Sequence, residues 1–172
     1  MKILSKQRNS RMCMICGLDN EYGVNAPFYN MEDGSVMTVF RYKEQHQSYP
    51  GRVHGGMITA MLDEMGLRSL WGKELSEETF GVTISLDTKY RKPVPYETEL
   101  IGRGVVVKNT SHFIITDSYI MDKDGEVLAN GRIKYIKMDT QKIQEGVEVH
   151  EEMPYLVEDG RTEIEGPFFD NL

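Results

Sequence analysis

A chain of 172 residues, 40% apolar and 27% charged, is long enough for one domain with a full hydrophobic core and too short for two ordinary domains and a linker. That composition excludes a disordered or fibrous chain, and a formal net charge of −7 argues against a broad basic surface for nucleic acid. No run of about 18 apolar residues is present to insert into a membrane, and the early charges at Lys2, Lys6 and Arg8 speak against a signal peptide.

The charge is unevenly placed. Between Asp139 and Leu172 ten acidic residues face only Lys142 and Arg161, whereas the first 138 residues carry 18 basic and 17 acidic groups. The acidity belongs to a tail, and the remainder is close to neutral. Cys13 and Cys16 are the only cysteines, which argues against a disulfide framework and for a reducing, cytoplasmic setting. The pair invites a redox or a zinc reading, but a redox CxxC normally opens a helix after a strand, and a zinc site would need about four ligands that no second such pair supplies, so it reads as structural or incidental, with no metal expected.

In chain order, the first ten residues read as loose, and Arg11 to Pro27 as loop with one helical turn. Ser35 to Tyr42 alternates as a strand. After the turn signal Tyr49-Pro50-Gly51, the segment Met57 to Trp71 repeats apolar residues near the 3.6-residue period, which predicts a long helix stopped by Gly72. Strands are predicted over Gly81 to Tyr90, Thr98 to Lys108, His112 to Met121 and Val127 to Met138, with Val82, Ile84, Leu86 and Thr88 on one face of the first. Asn109-Thr110-Ser111 and Lys123-Asp124-Gly125 make the hairpin turns. The result is α+β, one antiparallel sheet wrapped around one long central helix. Its parts are a loop and short helical segment over residues 1–34, the domain proper over 35–138, and an acidic arm or tail over 139–172.

Chemistry concentrates at the helix start. Gly55 and Gly56 follow His54, and free amides at a helix N-terminus suit an anion or a developing oxyanion. Asp63 and Glu64 sit mid-helix among methionines and leucines, where a charge is costly without partner or purpose. Glu64 makes a good i,i+4 pair with Arg68, which leaves Asp63 for chemistry. Gly55 and Asp63 are eight residues apart, about 12 Å along one helix, so one copy cannot bring both to one carbonyl. An antiparallel second copy would, creating two equivalent sites in a homodimer or a dimer of dimers.

These residues also match a known family. The run Gln47-Ser48-Tyr49-Pro50-Gly51-Arg52-Val53-His54-Gly55-Gly56, with an acid nine residues after the His, resembles the hotdog-fold thioesterases of the phenylacetyl-CoA branch. Cys13-Met14-Ile15-Cys16-Gly17 with Asn20 and Gly23, and Leu86 to Pro95 with Tyr90, Pro93 and Pro95, are similar to two further stretches of that branch. Ser48 stands where related sequences often carry Gly, and Asp87 where many carry Asn.

The resemblance implies hydrolysis of acyl-CoA to acid and CoA, with coenzyme A as part of the substrate and no cofactor. It implies Asp63 as general base or nucleophile, Gly55 as the oxyanion amide, His54 as shaper of that loop and Thr83 as the group orienting water or carboxylate. Gly56, Gln47 and Ser48 fall beside the expected cleft, and Lys89, Arg91 and Lys92 form a basic cluster suited to phosphates. A non-catalytic acyl-CoA binding module on the same fold is the alternative, and a hotdog dehydratase a weaker third. His46, His112 and His150 read as solvated.

Overall fold

A computed structural model describes residues 1–71, 79–139 and 152–166. Strands β1 (Ile3–Lys6), β2 (Tyr29–Met31) and β3 (Val36–Phe40) precede helix α1 (Gly55–Arg68). The helix runs into a 3-10 turn (Ser69–Trp71) and is followed by β4 (Thr79–Tyr90), β5 (Leu100–Asn109), β6 (Phe113–Met121) and β7 (Val127–Asp139). The strands form one antiparallel seven-stranded sheet in the order β1-β2-β3-β5-β6-β7-β4. Thus α1 is the single α-helix of more than one turn among the described residues, and the sheet curls around it.

The period-2 pattern of the meander explains this packing. In β6, Ile114, Thr116, Ser118 and Ile120 are buried and alternate with half-buried residues, and in β7 Ala129, Gly131, Ile133 and Tyr135 are buried and alternate with half-buried or exposed ones. Helix α1 lays Ile58, Met61, Leu62 and Met65 on that surface. Each such side chain contributes about 1.5–3 kcal/mol on burial. Close approach is required at Gly66, where an added Cβ would stand 2.3 Å from the Tyr135 hydroxyl, and at Gly104, where it would stand 2.5 Å from the Met65 carbonyl.

Four features differ from the sequence expectations. The first ten residues are ordered: β1 pairs with β2, and Gln7 and Asn9 are buried. Their partners come from the far end of the chain. Ile3 N–H donates to Thr162 O at 2.9 Å, Lys6 Nζ meets Asp159 at 2.5 Å, and Ile164 is buried beside Tyr29, Met31 and Met37. Residues 152–166 therefore pack as an arm against the N-terminal strands.

Second, α1 begins at Gly55, two residues earlier than predicted, because His54 caps it, and it ends at Arg68 before the 3-10 turn. The predicted stop at Gly72 lies outside the described residues. Third, β4 carries an irregularity between Thr83 and Ser85, so that Thr83 faces Tyr135 while Ser85 faces Lys134. The extra residue, Ile84, is 53% exposed, and the single-face alternation of Val82, Ile84, Leu86 and Thr88 is broken there. Fourth, His46 is buried rather than solvated. Its Nδ1 accepts the Lys43 N–H at 3.0 Å, so its Nε2 carries the proton toward Tyr22 O at 2.7 Å. His112 is exposed as expected, and His150 lies outside the described residues.

Candidate functional site

The site is built on α1 and the two segments that flank it. Before the helix, residues 47–53 fold back on themselves. Gln47 bridges Val53, Ser48 N–H donates to Arg52 O at 2.8 Å, and Gly51 takes a φ of 78° in the turn. This brings exposed Gln47 and Ser48 to the loop that feeds the helix N-terminus.

His54 occupies the N-cap position. Its ring Nδ1 accepts the Gly56 N–H at 2.9 Å, and its carbonyl accepts from Met57 and Ile58. Those bonds occupy three amides of the first turn. The Gly55 N–H has no acceptor among the described residues, and Gly55 lines a cavity of ≈ 300 Å³. Arg52, Arg91 and Lys92 also line it, together with Tyr90. The Tyr90 hydroxyl lies 2.7 Å from Thr59 Oγ1 and donates to Gly55 O at 3.1 Å, tying the helix start to the end of β4. Lys89, on the other hand, is exposed and is not among the residues lining this cavity. Arg91 Nε donates to Asn130 Oδ1 at 2.7 Å, and Lys92 pairs with Glu126.

Two turns along the helix, the paired carboxylates separate by role. Glu64 accepts from Arg68 Nε at 2.8 Å, the expected i,i+4 pair. Arg68 is 1% exposed, donates to Arg8 O at 2.7 Å, and lies between the rings of Phe28 and Trp71. Glu64 thus neutralises a buried cation. Asp63 lies half-buried on a different side of the helix and receives the Thr83 hydroxyl at 2.9 Å on Oδ1 and 3.2 Å on Oδ2. Its backbone carbonyl accepts from Tyr135 at 2.8 Å. Burial raises the Asp63 pKa above the ordinary carboxylate value, opposed by the hydrogen bonds from Thr83 and Tyr135 and assisted by Glu64.

Asp63 and Thr83 are therefore together, whereas Gly55 lies at the other end of the same helix. Arg52 and Tyr90 are cleft groups to which the sequence reading gave no site role, since a lone Arg in a turn and a Tyr at a strand end are ordinary. Arg52 stands two residues before the His54-Gly55-Gly56 run, and Tyr90 stands within the basic cluster of Lys89, Arg91 and Lys92. Among the described residues, no helix is long and apolar enough to cross a membrane.

Comparison with known proteins bears on the fold that carries these residues. Residues 50–129 match the thioesterase superfamily model. Acyl-coenzyme A thioesterase THEM4 of Rattus norvegicus is 26% identical over 140 residues, which is 81% of this chain and 57% of the rat protein. The chain thus spans a little over half the length of that relative. A crystal structure of a thioesterase superfamily protein shares the fold with a TM-score of 0.66 and 26% identity over 73% of this chain and 63% of its own. A Bacillus halodurans protein solved with CoA gives a TM-score of 0.57 at 22% identity, covering 64% of this chain and 72% of its own. The single long helix across an antiparallel sheet is the hotdog fold, and residues 50–129 are similar to the thioesterase superfamily.

Proposed function

We propose that this chain hydrolyses acyl-CoA thioesters to the free acid and CoA, with the reacting carbonyl held between Gly55 of one protomer and Asp63 of another. The observation that carries this reading is Asp63 itself. A half-buried carboxylate with a raised pKa, aimed by a hydroxyl and relieved of ion pairing by the Glu64–Arg68 bridge, is suited to proton transfer or attack.

In this reading the Gly55 N–H receives the oxygen of the thioester carbonyl, aided by the positive end of α1. Asp63 takes a proton from water as the water oxygen attacks the carbonyl carbon, or attacks directly to give an anhydride that water then opens. The tetrahedral oxyanion collapses, the C–S bond breaks, and the CoA thiolate leaves and is protonated. Thr83 keeps the carboxylate oriented. The cavity rim of Arg52, Arg91 and Lys92 is suited to the phosphates of coenzyme A, Arg by its planar fork and Lys as a point charge.

Two protomers are required because Gly55 and Asp63 are about 12 Å apart on one helix. β4 ends the sheet among the described residues, and its exposed Val82 (37%) and Ile84 (53%) support self-association as a homodimer or dimer of dimers. A panel of short, medium, long and aryl acyl-CoA thioesters, with trapping of released CoA thiol, tests the reading. Catalytic release from at least one class is expected, and stoichiometric binding of all of them without release would instead support an acyl-CoA binding module.

A further inference from the structure

The motif Cys13-Met14-Ile15-Cys16 takes no part in the hydrolytic reading, yet its geometry is specific. The motif closes a turn, with Gly17 N–H donating to Cys13 O at 2.9 Å. The two sulfurs and a Glu64 carboxylate oxygen all lie within 4.8 Å of one another. Access divides the pair: Cys13 is half-buried and Cys16 is 2% exposed. Cys13 Sγ accepts the Ile15 N–H at 3.3 Å, and Cys16 Sγ lies 3.2 Å from Ser10 Oγ. The charged groups facing the sulfurs are Glu64 and the buried Arg68.

The chemistry of the surroundings separates the two thiols as well. The neighbouring Cys16 thiol, with the backbone N–H groups, holds Cys13 below the ordinary thiol value, at about 6, against burial and the charge of Glu64. The neighbouring Cys13 sulfur, together with burial, pushes Cys16 up. The result is an accessible thiolate beside a buried thiol. The same atoms include three donors of the kind that hold a metal, but Glu64 is already engaged by Arg68, whose fixed positive charge opposes a second cation.

We propose that Cys13 and Cys16 form a reversible redox dithiol, in which the accessible Cys13 sulfur attacks a hydroperoxide and the buried Cys16 sulfur resolves the product to a disulfide. The Cys13 thiolate takes the terminal peroxide oxygen. An S–O bond forms, the O–O bond breaks, and the alkoxide leaves as alcohol with a proton from solvent. Cys16 then attacks the sulfenic sulfur, the S–S bond forms, and the hydroxyl leaves with the Cys16 proton as water. Two thiols lose two electrons, and the hydroperoxide becomes alcohol and water. In this proposal the pair is functional, where the sequence alone reads it as structural or incidental.

The test uses the full chain, reduced, freed of reductant and treated with one equivalent of hydrogen peroxide. The peptide carrying both cysteines is expected two hydrogens lighter, and dithiothreitol restores it. Cys16→Ser should stop at a sulfenic acid on Cys13 that dimedone traps, and Cys13→Ser should leave Cys16 unmodified. Iodoacetamide should label Cys13 first, with a rate midpoint near pH 6 and about a tenfold advantage over an ordinary exposed cysteine at that pH. Labelling of Cys16 first, absence of the disulfide in the unmutated chain, or co-purified zinc that must be removed before either thiol reacts would overturn it. The peptide mass of the unmutated chain decides even where a serine variant fails to fold, and no readout depends on thioester hydrolysis.

Discussion

The Thr83 hydroxyl donates to the Asp63 carboxylate, 2.9 Å from Oδ1 and 3.2 Å from Oδ2, across the gap between β4 and α1. A strand irregularity directly after Thr83 makes this contact available, since regular alternation from Leu86 and Thr88 would turn Thr83 outward. Because the Thr83 bond opposes the burial that raises the Asp63 pKa, its removal has a defined sign. Thr83→Val should move the acidic limb of kcat to higher pH and lower kcat about tenfold, and Thr83→Ser should restore both. A pH profile of the three proteins measures this, and an unmoved limb in the valine variant would count against a positioning role.

Asp63 itself should trade stability for activity. Its folded pKa is raised above the unfolded value, so the contribution it makes is present at low pH and is lost as pH rises through the folded pKa. Asp63→Asn should therefore melt higher than the unmutated chain at neutral pH, with the gap closing toward about pH 3, while CoA release falls about 10²- to 10⁴-fold. Paired thermal melts at the two pH values and a CoA-release assay check both halves.

Arg52 stands at the cavity rim beside Gly55, and among the described residues its guanidinium is held only by its neighbour Gly51 O at 3.0 Å. Arg52→Ala should raise KM for an acyl-CoA by about tenfold with little change in kcat, and weaken the dependence of KM on salt. An acyl thioester of N-acetylcysteamine, which lacks the phosphates, should be handled alike by both proteins. Equal loss on both substrates would move Arg52 out of phosphate binding.

Truncation after Met138 removes Ile164 from its cluster with Tyr29, Met31 and Ile101, and Asp159 from Lys6. The lost Ile164 burial is worth about 1.5–3 kcal/mol. A lower melting temperature and altered assembly or solubility are expected, with hydrolysis retained by the folded fraction. A correctly assembled truncation that no longer hydrolyses would assign the arm a part in the chemistry.

The parts of this fold that could be read from the chain are those with local periodicity. The apolar repeat from Met57, the alternation of β6 and the hairpin turn at Asp124-Gly125 each carry their own geometry within a few residues. The Glu64–Arg68 spacing likewise announced its pair. The strands β1 and β2 left no such trace. They are four and three residues long; β2 turns back on β3 within a few residues, but β1 is ordered by β2 and by Thr162 at the far end of the chain. The same holds for His46, whose burial comes from a distant carbonyl at Tyr22, and for the extra residue in β4, which depends on register against β7. Asp63 was legible because a carboxylate in an apolar helix is anomalous, whereas Arg52 and Tyr90 become cleft residues only once the loop and strand meet.

Subunit complementation tests the shared site most directly. Gly55→Pro removes the oxyanion amide at a helix position where proline is favoured, and Asp63→Asn removes the carboxylate, so each variant alone should be nearly inactive. Co-expressed in equal amounts, half of the dimers pair one of each, and each such dimer rebuilds one intact site from Gly55 of one chain and Asp63 of the other. The mixture should recover about a quarter of the unmutated CoA-release rate. Activity no higher than the average of the two parents, in dimers shown to have mixed, would contradict a site built across two protomers.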